Sequence, residues 1–113
     1  MLTKEQVKWI LEHNKMKVIY VPSHKMYGYV GMNQQAARVM HFPWHYGHKI
    51  LEDKNLQGLQ RDKTKVHETV EEYEMRVYKE PYWPAHHKAT QAEHLVHDKT
   101  LRAKPCKFKE YIY

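Results

Sequence analysis

A single cysteine, Cys106, stands in the 113 residues. It excludes an intramolecular disulfide and any multi-cysteine zinc site within one chain. Glycine is scarce, and neither a Walker A motif nor a GxGxxG run occurs, so nucleotide binding through a glycine-rich loop is not supported. The absence of any ExxH pair argues against a ferritin-like di-iron site. No apolar run approaches the roughly 20 residues that span a bilayer, and a mean hydropathy of -0.89 agrees with no membrane partner. The opening stretch MLTKEQVKWILEHNK sets Glu5 and Glu12 inside its apolar pattern, unlike the h-region of a signal peptide. Together with the lone cysteine this predicts a cytoplasmic protein.

What the chain does contain is enough apolar material for one core. A hydrophobic fraction of 42% over this length supports a single domain and would not sustain two. Charge is plentiful and uneven. The net charge is +6, with Lys4, Lys8, Lys15 and Lys17 near the start and Lys99, Arg102, Lys104, Lys107 and Lys109 in the tail. Glu68, Glu71, Glu72 and Glu74 crowd the middle. With no internal repeat and no low-complexity segment, this asymmetry reads as different faces of one domain.

The pattern predicts an α+β fold: an N-terminal helix, a small antiparallel sheet, two packed C-terminal helices and an irregular basic tail. Thr3 caps a helix to about residue 12, with Val7, Ile10 and Leu11 as its apolar stripe. MKVIYVP and YGYVGM read as strands joined by SHKM as a hairpin. NQQAARVMHF is helical in its first half and strand-like in its second, PWHYGH is turn-rich, and HKILED reads as a further strand. Helices follow over 64–79, with Thr64 as N-cap, and over 84–98. Residues 1–62 form a helix-plus-sheet part, 63–98 a two-helix unit and 99–113 the tail, which Pro105 keeps from continuous helix.

The two helices carry the chemistry. Val66, Val70, Tyr73 and Val77 define the buried stripe of the first, and Ala85, Ala89, Ala92 and Val96 give the second a small-residue stripe that admits a close neighbour. His67 and Glu71 lie one turn apart on one face, and His86 and Glu93 two turns apart beside the alanine stripe. If the helices pack together, these four side chains converge as a metal-ligand set. The open alternatives are a buried His/Glu hydrogen-bond cluster and an ordinary solvated face.

HETVE, residues 67–71, resembles the HExxH signature of zinc metallopeptidases, and a sheet followed by that helix resembles the minimal zincin fold. The resemblance covers roughly residues 48–98. It implies that His67 is a ligand, that Glu68 is the general base, and that Glu71 stands where the family has histidine. It also implies a third ligand from the following helix, a place that His86 or Glu93 could fill. The cofactor implied is a divalent metal, zinc first. The carboxylate at Glu71 makes the site harder and more anionic, so manganese or iron also comes into view.

Other features carry blander readings. His41, His45 and His48 share an aromatic loop with no spacing that fixes them together, and His94 and His97 read as exposed. Tyr82 and Trp83, in PYWP, are expected to close the core edge at the inter-helix turn, with substrate contact as the alternative. Three function classes follow. A metallopeptidase would act on peptide or protein. A nucleic-acid-binding module would use Lys99, Arg102, Lys104, Lys107 and Lys109 with Tyr111 and Tyr113. A small interaction protein would dock through its exposed aromatics and the basic tail.

Overall fold

A computed structural model describes residues 2–97 and 110–111. The first helix, α1 (Lys4–His13), starts where Thr3 accepts from the Gln6 amide while the Gln6 side chain reaches back to the Thr3 amide. This reciprocal cap satisfies two amides that a helix start leaves unpaired. Val7 and Ile10 are buried on its inner face.

Strands β1 (Val18–Val21), β2 (Gly31–Asn33), β3 (Ile50–Asp53) and the two-residue β4 (Glu110–Tyr111) lie in the order β2-β3-β1-β4. The sheet is mixed rather than wholly antiparallel: β1 pairs in parallel with β3 and β4, and only β2 and β3 run antiparallel. The expected hairpin between β1 and β2 therefore does not form. Two causes act together. Every residue of β1 is buried, as suits an inner strand flanked on both edges. Between β1 and β2 the chain makes a 3-10 turn at Ser23–Lys25 and then takes positive φ at Tyr27 and Gly28. This extended detour leads β2 to the outer edge of β3.

Residues 34–40, which read ambiguously in sequence, form a helix, α2 (Gln34–Met40). Asn33 caps it by accepting from the Ala36 amide, and His41 ends it in the left-handed region. Met26, Met32, Ala36, Ala37 and Phe42 build one core cluster with Ile19, Val21 and Leu51 of the sheet.

The long helix α3 (Leu59–Val77) begins five residues before the expected start, so Thr64 is not its cap. Thr64 instead lies inside the helix and faces β2, where a Cβ on Gly31 would come within 2.6 Å of its Cγ2. Glycine at position 31 thus lets α3 press onto the sheet edge. Helix α4 (Tyr82–Glu93) starts two residues early and passes into a 3-10 turn at His94–His97. Its Ala85, Ala89 and Ala92 are buried as expected, and small side chains allow the close approach of α3. Val7, Ile10, Val66, Val70, Tyr73, Ala89, Ala92 and Val96 form the core between α1, α3 and α4. Val77, expected in the buried stripe, is exposed at the end of α3.

The acidic run is not a solvated face. Glu68, Glu71, Glu72 and Glu74 are all buried, and a buried carboxylate needs partners. Glu72 accepts from Arg76 Nε at 2.6 Å and from Asn14 Nδ2 at 3.3 Å, tying α3 to the end of α1. Glu74 lies 3.7 Å from Lys88 Nζ. Glu68 and Glu71 face another way. Among the described residues, no helix is long and apolar enough to cross a membrane.

Candidate metal centre

His67 and Glu71 project from one face of α3, and His86 meets them from α4. The Oε2 atom of Glu71 lies 3.2 Å from His67 Nε2 and 2.8 Å from His86 Nδ1, and the two nitrogens are 3.2 Å apart. A tetrahedral zinc shell with bonds near 2.0–2.1 Å has donor-to-donor edges of about 3.3–3.4 Å. Two edges of the triangle already fall close to that length and the third is slightly short. The donor set of two imidazoles and one carboxylate also suits zinc, and manganese or ferrous iron as well. Among the described residues, this is the one group of three or more His, Cys, Asp or Glu so gathered.

His86 Nδ1 has Glu71, His67 and the Tyr82 hydroxyl all within 3.2 Å. An imidazole nitrogen makes one in-plane hydrogen bond. Three polar neighbours therefore crowd one position that can satisfy only one of them by such a bond.

Glu93, expected within the ligand set, lies on the other side of His67. Its Oε1 is 2.9 Å from His67 Nδ1. The Nδ1–H donates to that carboxylate and turns Nε2 toward the triangle, the arrangement by which a carboxylate orients a metal-binding histidine. The structure therefore brings all four expected residues together, three around one point and Glu93 behind one of them.

Asn33 was not singled out by the sequence. It is fully buried, and its Nδ2 donates to Glu68 Oε1 at 2.9 Å and to Glu71 Oε1 at 3.1 Å. Its Oδ1 caps α2. One amide thus fixes the second oxygen of Glu71 and holds Glu68 beside it. The local signal for Asn33 is a helix cap before QQAA, and nothing in the sequence links it to residues 35 and 38 positions away.

The electrostatics follow from burial and proximity. Burial works against a charge on His67, but the hydrogen bonds to Glu71 and Glu93 and the nearby Glu68 outweigh it and push its pKa up to about 10. Burial, then the Glu71 charge, raises Glu68 to about 8, against the pull of His67 and Asn33. Burial also tends to raise Glu93, yet the His67 hydrogen bond and charge hold it below the usual carboxylate range. Without a cation the centre thus keeps protons that ligation would displace.

The triangle opens onto a cavity of about 260 Å³. Glu68 lines it with the donors, as do Tyr29 and Val30 just before β2 and Gly31 and Met32 within it. Tyr82 lines it too, whereas Trp83 is 69% exposed and does not close the core edge. His41, His45, His48 and His94 are exposed and form no centre. Lys99, Arg102, Lys104, Lys107 and Lys109, the residues of the nucleic-acid reading, lie outside the described residues. Comparison with protein-family models, curated proteins and solved structures returns no match.

Proposed function

We propose that the chain is a metal-dependent hydrolase of zincin-like type, a peptidase acting on peptide or protein substrates, with His67, Glu71 and His86 holding the cation. One observation carries this reading: three donor atoms at near-tetrahedral spacing open onto a cavity that Glu68 also lines. Zinc is the metal of choice for two imidazoles and a glutamate, with manganese or iron as alternatives. When bound, the cation supplies Lewis acidity that polarises a carbonyl and acidifies a water.

The residues of the chain do the rest. Glu71 and His86, with His67, would hold the cation where it could polarise a carbonyl. Glu93 holds the tautomer and plane of His67. Glu68, steadied by Asn33, takes a proton from the attacking water and passes it to the leaving amine. Without a cation, burial and the Glu71 charge raise its pKa to about 8; a cation held beside it would favour the carboxylate that a general base needs. The cavity wall of Tyr29, Val30 and Met32 gives the substrate an apolar surface beside the donors. A cytoplasmic site of action is part of the proposal and rests on the lone Cys106.

The test is hydrolysis of an unstructured protein such as casein by zinc-loaded protein. The expected result is cleavage that a chelator stops and added zinc restores. Zinc-loaded protein that cleaves neither casein nor a mixed peptide library would remove the peptidase reading.

A further inference from the structure

Glu93 lines the cavity but engages only one oxygen of its carboxylate within the fold. Its Oε1 accepts from His67 Nδ1 at 2.9 Å, and among the described residues no hydrogen bond reaches Oε2. The side chain is 28% exposed. The other cavity carboxylates are more fully held: Glu71 has Asn33 on Oε1 and both imidazoles beside Oε2, and Glu68 is buried with Asn33 on one oxygen. Among the described residues, no Lys or Arg lines the cavity. Lys63 and His94 act on the Glu93 charge from nearby, yet neither belongs to that lining. A carboxylate with an open oxygen takes a cationic donor more strongly than a neutral one.

Position decides which cation fits. Glu93 lies one imidazole ring and one hydrogen bond away from the triangle, behind His67. In a peptide the amino nitrogen of a residue is two bonds, each about 1.5 Å, from its own carbonyl carbon. A first residue whose carbonyl faces the triangle thus carries its free ammonium a short step away, toward Glu93. A lysine ammonium stands at the end of a four-carbon stem and reaches past that point. Volume points the same way. At about 260 Å³ the cavity falls below the range of about 300–1,000 Å³ of ordinary ligand pockets, which suits one terminal residue better than a long extended segment.

Building on the peptidase reading, we propose that Glu93 selects substrates by their free amino terminus, so that the chain acts as an aminopeptidase. Its Oε2 accepts from the terminal ammonium while Oε1 keeps its hold on His67. A terminal amine, with an ordinary pKa of about 7.7–8.0, is mostly charged at neutral pH. Hydrolysis adds one water across the first peptide bond and yields a free amino acid and a peptide one residue shorter.

The experiment uses the cobalt(II)-loaded protein, whose visible bands report hydroxamate binding without turnover. Leucine hydroxamate is compared with its α-hydroxy analogue, which has the same size and no ammonium, and with ε-aminocaproyl hydroxamate, whose ammonium stands at the lysine position. Leucine hydroxamate is expected to bind roughly tenfold more tightly than either. In the Glu93→Gln variant, whose amide carbonyl still accepts from His67, that preference should shrink to about twofold or less. Equal affinity of the parent for leucine hydroxamate and its α-hydroxy analogue overturns the inference and leaves the metal centre standing. Equal affinity for leucine hydroxamate and ε-aminocaproyl hydroxamate overturns it too, in favour of a lysine side chain. A parent that binds cobalt but none of the three probes has the same consequence. So does a variant that keeps the full preference, because another group then meets the ammonium. Where the Glu93→Gln variant takes up no cobalt, Glu93→Asp is measured in its place: its carboxylate is withdrawn by one methylene, and the preference should fall about threefold or more. Loss of cobalt from both variants overturns the inference, because Glu93 then serves only to hold His67. A parent that takes up no cobalt at all removes the metal reading and this inference with it.

Discussion

Replacing Glu68 with Gln is expected to lower peptide hydrolysis by roughly 10²- to 10⁴-fold, the range supplied by a positioned general base. Metal content should not change, because Glu68 is outside the His67, Glu71 and His86 triangle. The fold should persist as well. Glutamine has nearly the same shape, and its carbonyl can accept from Asn33 Nδ2 as the Glu68 carboxylate does at 2.9 Å. The variant also loses a buried acid whose pKa is raised from 4.5 to about 8. Such a group penalises the fold as pH rises above 4.5, so the variant should be at least as stable as the parent in alkaline solution. The measurement is steady-state hydrolysis beside metal analysis and a thermal melt. A folded, metal-loaded variant with parental activity would show that another group takes the proton.

The second large effect is on stability. In the metal-free protein, Glu68 and Glu52 both have pKa values raised from 4.5 to about 8, and His67 is raised from 6.5 to about 10. For Glu52 the cause is chiefly burial, only partly offset by Arg61 and Lys65; its Oε1 has no hydrogen-bond partner. All three groups bind protons more tightly folded than unfolded. Between the unfolded and folded values the native state therefore holds more protons, and stability falls as pH rises. The carboxyl groups act between about pH 4.5 and 8, and His67 between about 6.5 and 10. After discount for mutual coupling, the melting temperature of metal-free protein should drop on the order of 10 °C from mildly acidic to alkaline solution.

Metal reverses the trend. Ligation requires deprotonated imidazoles and carboxylate, so affinity and the stabilisation it brings should grow over the same pH range. Melting curves with and without zinc should thus converge in acid and separate in base. Parallel curves at every pH would contradict the assignment of His67 as a ligand.

The parts of the fold legible in the sequence are those decided by neighbours in the chain. Thr3 and Gln6 make a capping box within four residues, and the alanines of α4 repeat at helical spacing, so both helices could be read. The spacing of His67 and Glu71 was readable for the same reason. Long-range choices were less accessible. Whether VIYV pairs with the next strand or with β3 depends on burial of both its faces and on positive φ at Tyr27 and Gly28, which no local period encodes. The start of α3 has no local signal, because residues 59–63 are mostly polar and show no apolar repeat. Glu71 reads in sequence as a candidate ligand at the core edge, whereas nothing local marks Glu72 as buried; their partners Asn33, His86, Asn14 and Arg76 come from α3, α4, the cap of α1 and a strand end. Asn33 makes the point most clearly, since its cap is local while its clamp on two glutamates appears only once α3 lies across β2.

The account turns on whether the triangle holds a cation. The direct measurement is elemental analysis by inductively coupled plasma mass spectrometry on protein purified without chelator, beside its His67→Ala variant. That change removes one corner of the triangle and the partner of Glu93. The account predicts about one equivalent of zinc, manganese or iron in the parent, as the one three-donor centre among the described residues requires, and none in the variant. A parent without metal even after loading, or a variant that retains the parental amount, would contradict it.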